Sequence, residues 1–231
     1  MRVKMIYKLT RHEFLDFLKQ PSLWMLVLLP ILMSVMVIVL MNEPGLEMLL
    51  LPSWILFAQV MVGLMIIAPG FIEEKEQKTL DALLVSPFKL WEIIFAKCSI
   101  IFLFSILSQV FVYVLNHGFN VNLLAVLPVM IIGAILFIEV GLIIGLIMSS
   151  SKTSAAISSV VMVLLFVTAS FYQQLPEWKN VLQLIPSVVV VENFYGVFER
   201  EFLPLQLGLM LLWLMLFTAV IHLLVKKELN K

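Results

Sequence analysis

Six apolar runs, each close to the length of a membrane crossing, leave this chain few folds to adopt. A helix needs about twenty apolar residues to cross the hydrocarbon core. Leu23–Met41, Leu49–Ile72, Cys98–Leu115, Leu123–Met148, Ala155–Tyr172 and Phe202–Val225 all qualify. Inside a bilayer every backbone polar group must pair within its own segment, so such runs predict helices rather than open strands. The expectation is an all-α integral membrane protein with six transmembrane helices in a single domain over residues 1–231. At 62% hydrophobic and 13% charged residues, the composition is unlike that of soluble domains. Pro30, Pro52, Pro69 and Pro128 lie within or beside the runs, where membrane helices tolerate them. The first run is long and is followed by others, so it reads as a retained helix rather than a cleaved leader.

Basic residues orient the spans. Arg2, Lys4, Lys8, Arg11 and Lys19 precede the first run, and Lys75, Lys78, Lys89 and Lys97 follow the second. Lys152 follows the fourth run, and Lys226, Lys227 and Lys231 follow the sixth. With six spans these all fall on one side, leaving Lys179 and Arg200 on the other. The positive-inside rule then puts both termini and the loop 73–97 in the cytoplasm of a multi-pass cell-membrane protein. Formal net charge is zero, and nucleic acid is not an expected partner, whereas a lipid bilayer is.

Residues 1–22 have a pattern of their own. On a helical wheel Val3, Ile6, Tyr7, Phe14, Phe17 and Leu18 share an arc of about 120°, and Lys4, Lys8, Arg11 and Lys19 an adjoining one of roughly 80°. This layout predicts a helix lying in the membrane interface with its cations toward anionic headgroups. Gln20-Pro21 would end it before the first span.

The loop 73–97 is the sharpest departure from the apolar background. Glu73, Glu74, Lys75, Glu76, Lys78 and Asp81 crowd together directly after the second run. Leu80, Leu83 and Leu84 come next at helical spacing and make an apolar stripe. Ser86 suits an N-cap and Pro87 the first position of a next helix. The pattern predicts a short helix from Ile72, a break at Ser86-Pro87, and a second segment leading into the third span. A groove in a soluble partner would bury the stripe.

The order Glu74-Lys75-Glu76-x-x-Thr79-Leu80-Asp81-x-Leu83-Leu84-x-Ser86-Pro87 resembles the signature found after the second span of ABC-2 type transporter permeases. That family typically reads Glu-(Lys/Arg)-Glu-x-Gly-Thr-Leu-Glu-x-Leu-Leu-x-(Ser/Thr)-Pro. Lys78 replaces the usual glycine, which stiffens the helix. The resemblance extends over the chain as architecture, with an interfacial helix, six spans, a coupling helix and an external segment between the last two spans. It implies the membrane subunit of an ABC exporter, paired with a second permease subunit as a homodimer or heterodimer and with cytosolic ABC ATPase subunits. It also implies that Glu73, Glu74, Glu76, Thr79, Leu80, Leu83, Leu84, Ser86 and Pro87 couple to the ATPase. The sequence has no G-x-x-x-x-G-K-[ST] loop, so ATP and Mg²⁺ are expected in the partner, and no cofactor in this chain.

The longest stretch outside the spans, residues 173–201, contains Ser187-Val188-Val189-Val190-Val191. Too apolar for a free loop and too short to cross, it predicts a re-entrant or interfacial hairpin. The resemblance implies that it caps the translocation path. Glu139 is the one acidic residue deep within a run, which marks a pathway or a subunit interface, with Gln59 and Gln109 as candidate partners. Gly141-x-x-x-Gly145 permits close helix approach, and Ser150, Ser154 and Ser158 form a small-residue row for packing. Cys98 is the single cysteine, and His12, His117 and His222 share no metal spacing. A membrane-embedded enzyme lacks a paired acid and base at depth. An ion-driven transporter, the other alternative without an ATPase, would ordinarily need several intramembrane carboxylates. Neither accounts for the charged, leucine-striped loop.

Overall fold

A computed structural model describes residues 2–41, 46–77, 90–201 and 203–229. Among them there is no strand, and six helices are long and apolar enough to cross a membrane. Helix α1 (Arg2–Lys19) is separated by Gln20 alone from the first span, α2 (Pro21–Met41). Pro21 at the first position of α2 has no N–H to contribute, which ends one helix while starting the next. The remaining spans are α3 (Leu46–Glu76), α4 (Leu90–His117), α5 (Asn122–Ile147) and α6 (Ser151–Phe171), followed later by the sixth. A 3-10 turn (Tyr172–Gln174), the short α7 (Lys179–Leu182) and α8 (Pro186–Glu199) lead into that last span, α9 (Pro204–Leu229).

Helix α3 is the centre of the bundle. Of its span 78% is buried, against 22% for α2 and 17% each for α6 and α9. It packs against α2, α4, α5 and α6. The closest approach is to α5, through glycines. A Cβ on Gly63 would stand 3.1 Å from the Ile138 backbone, and one on Gly141 would overlap Ile67 and lie 2.8 Å from the Gly63 carbonyl. Gly145 meets Ala68 at 3.1 Å. The glycine pair expected to bring helices together therefore does so, and its partner is the central helix.

Several polar groups at depth pair across helices, as a low-dielectric interior favours, although the buried hydroxyls of Ser154 and Ser158 have no hydrogen-bond partner among the described residues. Ser108 donates to the Val27 carbonyl at 2.8 Å and Asn116 donates to Ser34 Oγ at 3.0 Å, joining α4 to α2. Ser154 and Ser158 are both fully buried on α6.

Two boundaries differ from the sequence expectation. The charged residues Glu73–Glu76 form the last turn of α3 rather than a separate short helix, because Glu and Lys are good helix formers and no breaker intervenes. The third span starts at Leu90 rather than near Cys98, so Lys97 lies on the span helix itself. Residues 78–89, which hold Lys78, Thr79, Leu80, Leu83, Leu84, Ser86 and Pro87, lie outside the described residues.

Helix α1 divides its apolar residues. Leu9 and Phe17 are buried, and the Phe17 ring stacks on Phe104 of α4 at 3.9 Å, with Trp24 edge-on. Tyr7 and Leu18 stay exposed. Phe17, which the helical wheel groups with membrane-facing residues, is instead held in this aromatic cluster.

Segment 173–201 is largely helical. Pro186 opens α8, and Val188, Val189, Val190 and Val191 are all 0% exposed against the far end of the bundle. Trp213 Nε1 donates to the Leu184 carbonyl at 2.8 Å, tying the loop before α8 to α9.

Candidate functional site

The last turn of α3 gathers three other helices. Lys97 Nζ of α4 lies 2.5 Å from Glu74 Oε1 and 3.7 Å from Glu13 Oε2 of α1. The lysine is 14% exposed, Glu13 16% and Glu74 20%, so the group is largely withdrawn from solvent. Glu13 reaches it because Leu9, Glu13 and Phe17 recur every fourth residue, which puts the carboxylate on the buried face of α1. Burial pushes the Glu13 carboxyl above its ordinary value. The Lys97 ammonium opposes this, and Glu74 and Asp16 add repulsion. Removing two carboxylates and an ammonium from water is costly, and their mutual attraction repays it only while all three are in place.

Two residues on, Glu76 makes a second tie. Its carboxylate accepts from Ser151 N at 3.0 Å and Ser151 Oγ at 2.7 Å. These groups belong to the first turn of α6, where Ser150 caps the helix by accepting from Thr153 N at 3.2 Å. An anion here also complements the positive end of the helix dipole. Lys75 lies over the Phe71 ring, 5.4 Å from its centroid. One helical turn thus fastens α3 to α4 through Glu74, and to α6 through Glu76, while Glu13 of α1 joins the group only through Lys97.

Of the cations assigned to the membrane interface, Lys8, Arg11 and Lys19 are exposed on α1. Lys4 is in the helix, with its side chain outside the described residues. The intramembrane polar residues separate into two groups. Gln59 Nε2 donates to Gln109 Oε1 at 2.9 Å, and Gln109 Nε2 donates to Ser105 Oγ at 3.1 Å. Both glutamines are fully buried, and Gly133 of α5 makes room for Gln59. Glu139 is six residues further along α5, about 240° around the helix. It therefore faces α9, where Thr218 Oγ1 lies 2.6 Å from Glu139 Oε1. The glutamines are partners of each other rather than of Glu139.

Thr218 Oγ1 is also 2.9 Å from the Leu214 carbonyl, and its single proton serves one acceptor at a time. Glu139→Gln supplies an amide that can donate to Thr218 while Thr218 donates to Leu214. It is expected to unfold at the wild-type temperature in detergent, whereas Glu139→Leu should lose about 1 kcal/mol. Equal losses in both would show that the carboxylate itself is required.

Sequence reasoning missed Glu13, Lys97 as a pairing residue, and Thr218. Glu13 had a signal in its spacing from Leu9 and Phe17. Lys97 had none, since its partners are 23 and 84 residues away in the chain. Among the described residues no cluster of His, Cys, Asp or Glu could hold a metal ion.

The family model described as ABC-2 type transporter matches residues 5–199. Fluoroquinolones export permease proteins of two Mycobacterium tuberculosis strains are each 24% identical to this chain over 189 residues, covering 80% of it and 74% of their own length. Six membrane-spanning helices and a family match over most of the sequence lead to one conclusion: the chain belongs to the ABC-2 type transporter family, as a multi-pass membrane permease subunit.

Proposed function

We propose that this chain is the permease subunit of an ATP-driven exporter and forms the translocation path together with a second permease subunit, identical or similar. ATP and Mg²⁺ are held by a separate cytosolic ATPase. The charged end of the bundle faces that ATPase, in keeping with the excess of Lys and Arg there. The segment joining α3 to α4 is the coupling loop, in which Thr79, Leu80, Leu83, Leu84, Ser86 and Pro87 supply the docking face and its elbow. Helix α1 lies along the inner surface with Lys4, Lys8, Arg11 and Lys19 toward lipid headgroups, and segment 173–201 caps the outer end. Glu139 lines the path or a subunit interface, whereas the Gln59–Gln109 pair holds α3 to α4 inside the bundle. The Mycobacterium tuberculosis relatives are named for fluoroquinolone export, which makes fluoroquinolones the cargo to try first.

The observation that carries this reading is the junction at the end of α3. A displacement of the loop that leaves Glu76 would act directly on α4 and α6, which Glu74 and Glu76 hold, and on α1 through the Lys97–Glu13 pair. The test is co-purification of the ATPase with the tagged permease. Leu83→Asp is expected to abolish the association, as is charge reversal across Glu73–Glu76. Leu83→Asp is the cleaner variant, since it leaves the Lys97 pairs intact. An ATPase that still binds and responds to substrate in that variant would overturn the assignment.

A further inference from the structure

An open cleft of about 1130 Å³ lies between α1, α2, α3 and α4, beside the Glu13–Lys97–Glu74 group. That volume is at or above the usual range of small-molecule sites, about 300–1,000 Å³. Its inner part is apolar, with Leu23 and Leu26 of α2, Ile66 of α3 and Ile101 of α4. Its mouth is charged, and the two signs stand on different helices. Lys8 is on α1, and Glu73 is on α3.

The other charges at the mouth are already paired. Lys97 is shared by Glu13 and Glu74, and Asp16 is 2.6 Å from His12 and 4.0 Å from Lys19. Among the described residues, Lys8 and Glu73 form no ion pair with each other or with any other group. A cleft with an apolar interior and one available charge of each sign on facing helices is complementary to a particular kind of molecule. We propose that this cleft binds a zwitterionic amphiphile, its apolar body between Leu26 and Ile101, its anionic group at Lys8 and its cationic group at Glu73. A phospholipid of the adjacent leaflet and a soluble zwitterion share this chemistry. The site rests on the transport reading only for the role of the ligand as cargo, because binding needs no ATPase.

The experiment uses the full chain in lipid nanodiscs and photoreactive probes of equal chain length. A diazirine phosphatidylethanolamine in the bilayer tests the membrane source, and a diazirine alkyl sulfobetaine added in solution tests the other. An alkylammonium and an alkyl sulfate serve as singly charged controls. At least one zwitterion is expected to label peptides of α1 and α3 in preference to both controls, and which one does so names the source. Lys8→Gln should lower zwitterion labelling about three-fold, the scale of one exposed charge contact, while leaving the alkylammonium unchanged. Glu73→Gln should likewise lower zwitterion labelling about three-fold while sparing the alkyl sulfate. Both positions are exposed, so these variants keep the fold, which thermal unfolding verifies. Labelling that ignores headgroup charge, or that neither substitution shifts, overturns the proposal. Failure to find an ATPase partner would leave this result untouched.

Discussion

Lys97→Met is expected to lower the stability of the protein by about 3 kcal/mol, the usual consequence of deleting one partner of a buried charge pair. Without the ammonium, Glu13 and Glu74 face one another in a largely dehydrated pocket. The loss has a pH dependence whose sign is set by Glu13. Its carboxyl is already raised by burial, so the folded protein holds that proton more tightly than the unfolded chain does. Folding is then favoured below the ordinary carboxylate range, and this contribution fades as pH climbs through the raised value. Removing Lys97 raises that value further. Thermal unfolding in detergent should therefore show a larger deficit for Lys97→Met at pH 8 than at pH 5, with Lys97→Arg recovering part of it. A deficit independent of pH would assign the loss to packing of the lysine stem instead.

The second large effect is expected at the contact of α3 with α5. A methyl group at Gly141 would overlap Ile67 and press on the Gly63 carbonyl and the Leu64 Cα, at 2.8 Å and 3.0 Å. Two of these three obstacles are backbone, which cannot rotate away. Gly141→Ala is expected to cost about 2 kcal/mol despite the better helix propensity of alanine, and Gly141→Leu more. At Gly145 the nearest atom is the Ala68 carbonyl oxygen at 3.1 Å, so Gly145→Ala should cost less than about 1 kcal/mol. Thermal unfolding of the three variants orders them directly. If Gly145→Ala were the more damaging, the closest approach of the helices would lie elsewhere.

Sequence alone was sufficient for the six spans and the family, because both are written locally. Apolar run length marks each crossing, and the span ends at Pro21, Asn122 and Ser151 fall within a few residues of the expected positions. The start of α4 was less legible, since Leu90–Lys97 mixes charge with apolar residues and does not look like membrane sequence. In the fold, Leu90–His117 is one continuous helix. The Lys97 group was hidden for a different reason. Each of its members lies on a separate helix, and only packing brings them together. Glu139 shows the same limit: the residue stood out, but its partner depends on which way α5 is turned. Phe17 looked membrane-facing because a wheel cannot distinguish a lipid from an aromatic side chain of another helix. The docking stripe 80–84 remains a reading of its spacing and its family likeness.

Helix α3 has a mechanical consequence. Its 31 residues make a rod of about 46 Å, longer than the roughly 30 Å hydrocarbon core. In any tilt, the glycine contact at Gly63, where the backbone of α5 presses closest, would serve as its fulcrum. Glu76 is thirteen residues beyond, about 20 Å along the axis. A tilt of about 5° about that point would carry the tip of the lever by about 1.7 Å, enough to stretch a hydrogen bond past its working range. The opposite arm would swing the other way by a comparable distance. Pro69 lies between fulcrum and tip and leaves the Met65 carbonyl without its helical donor, so the lever is least stiff there.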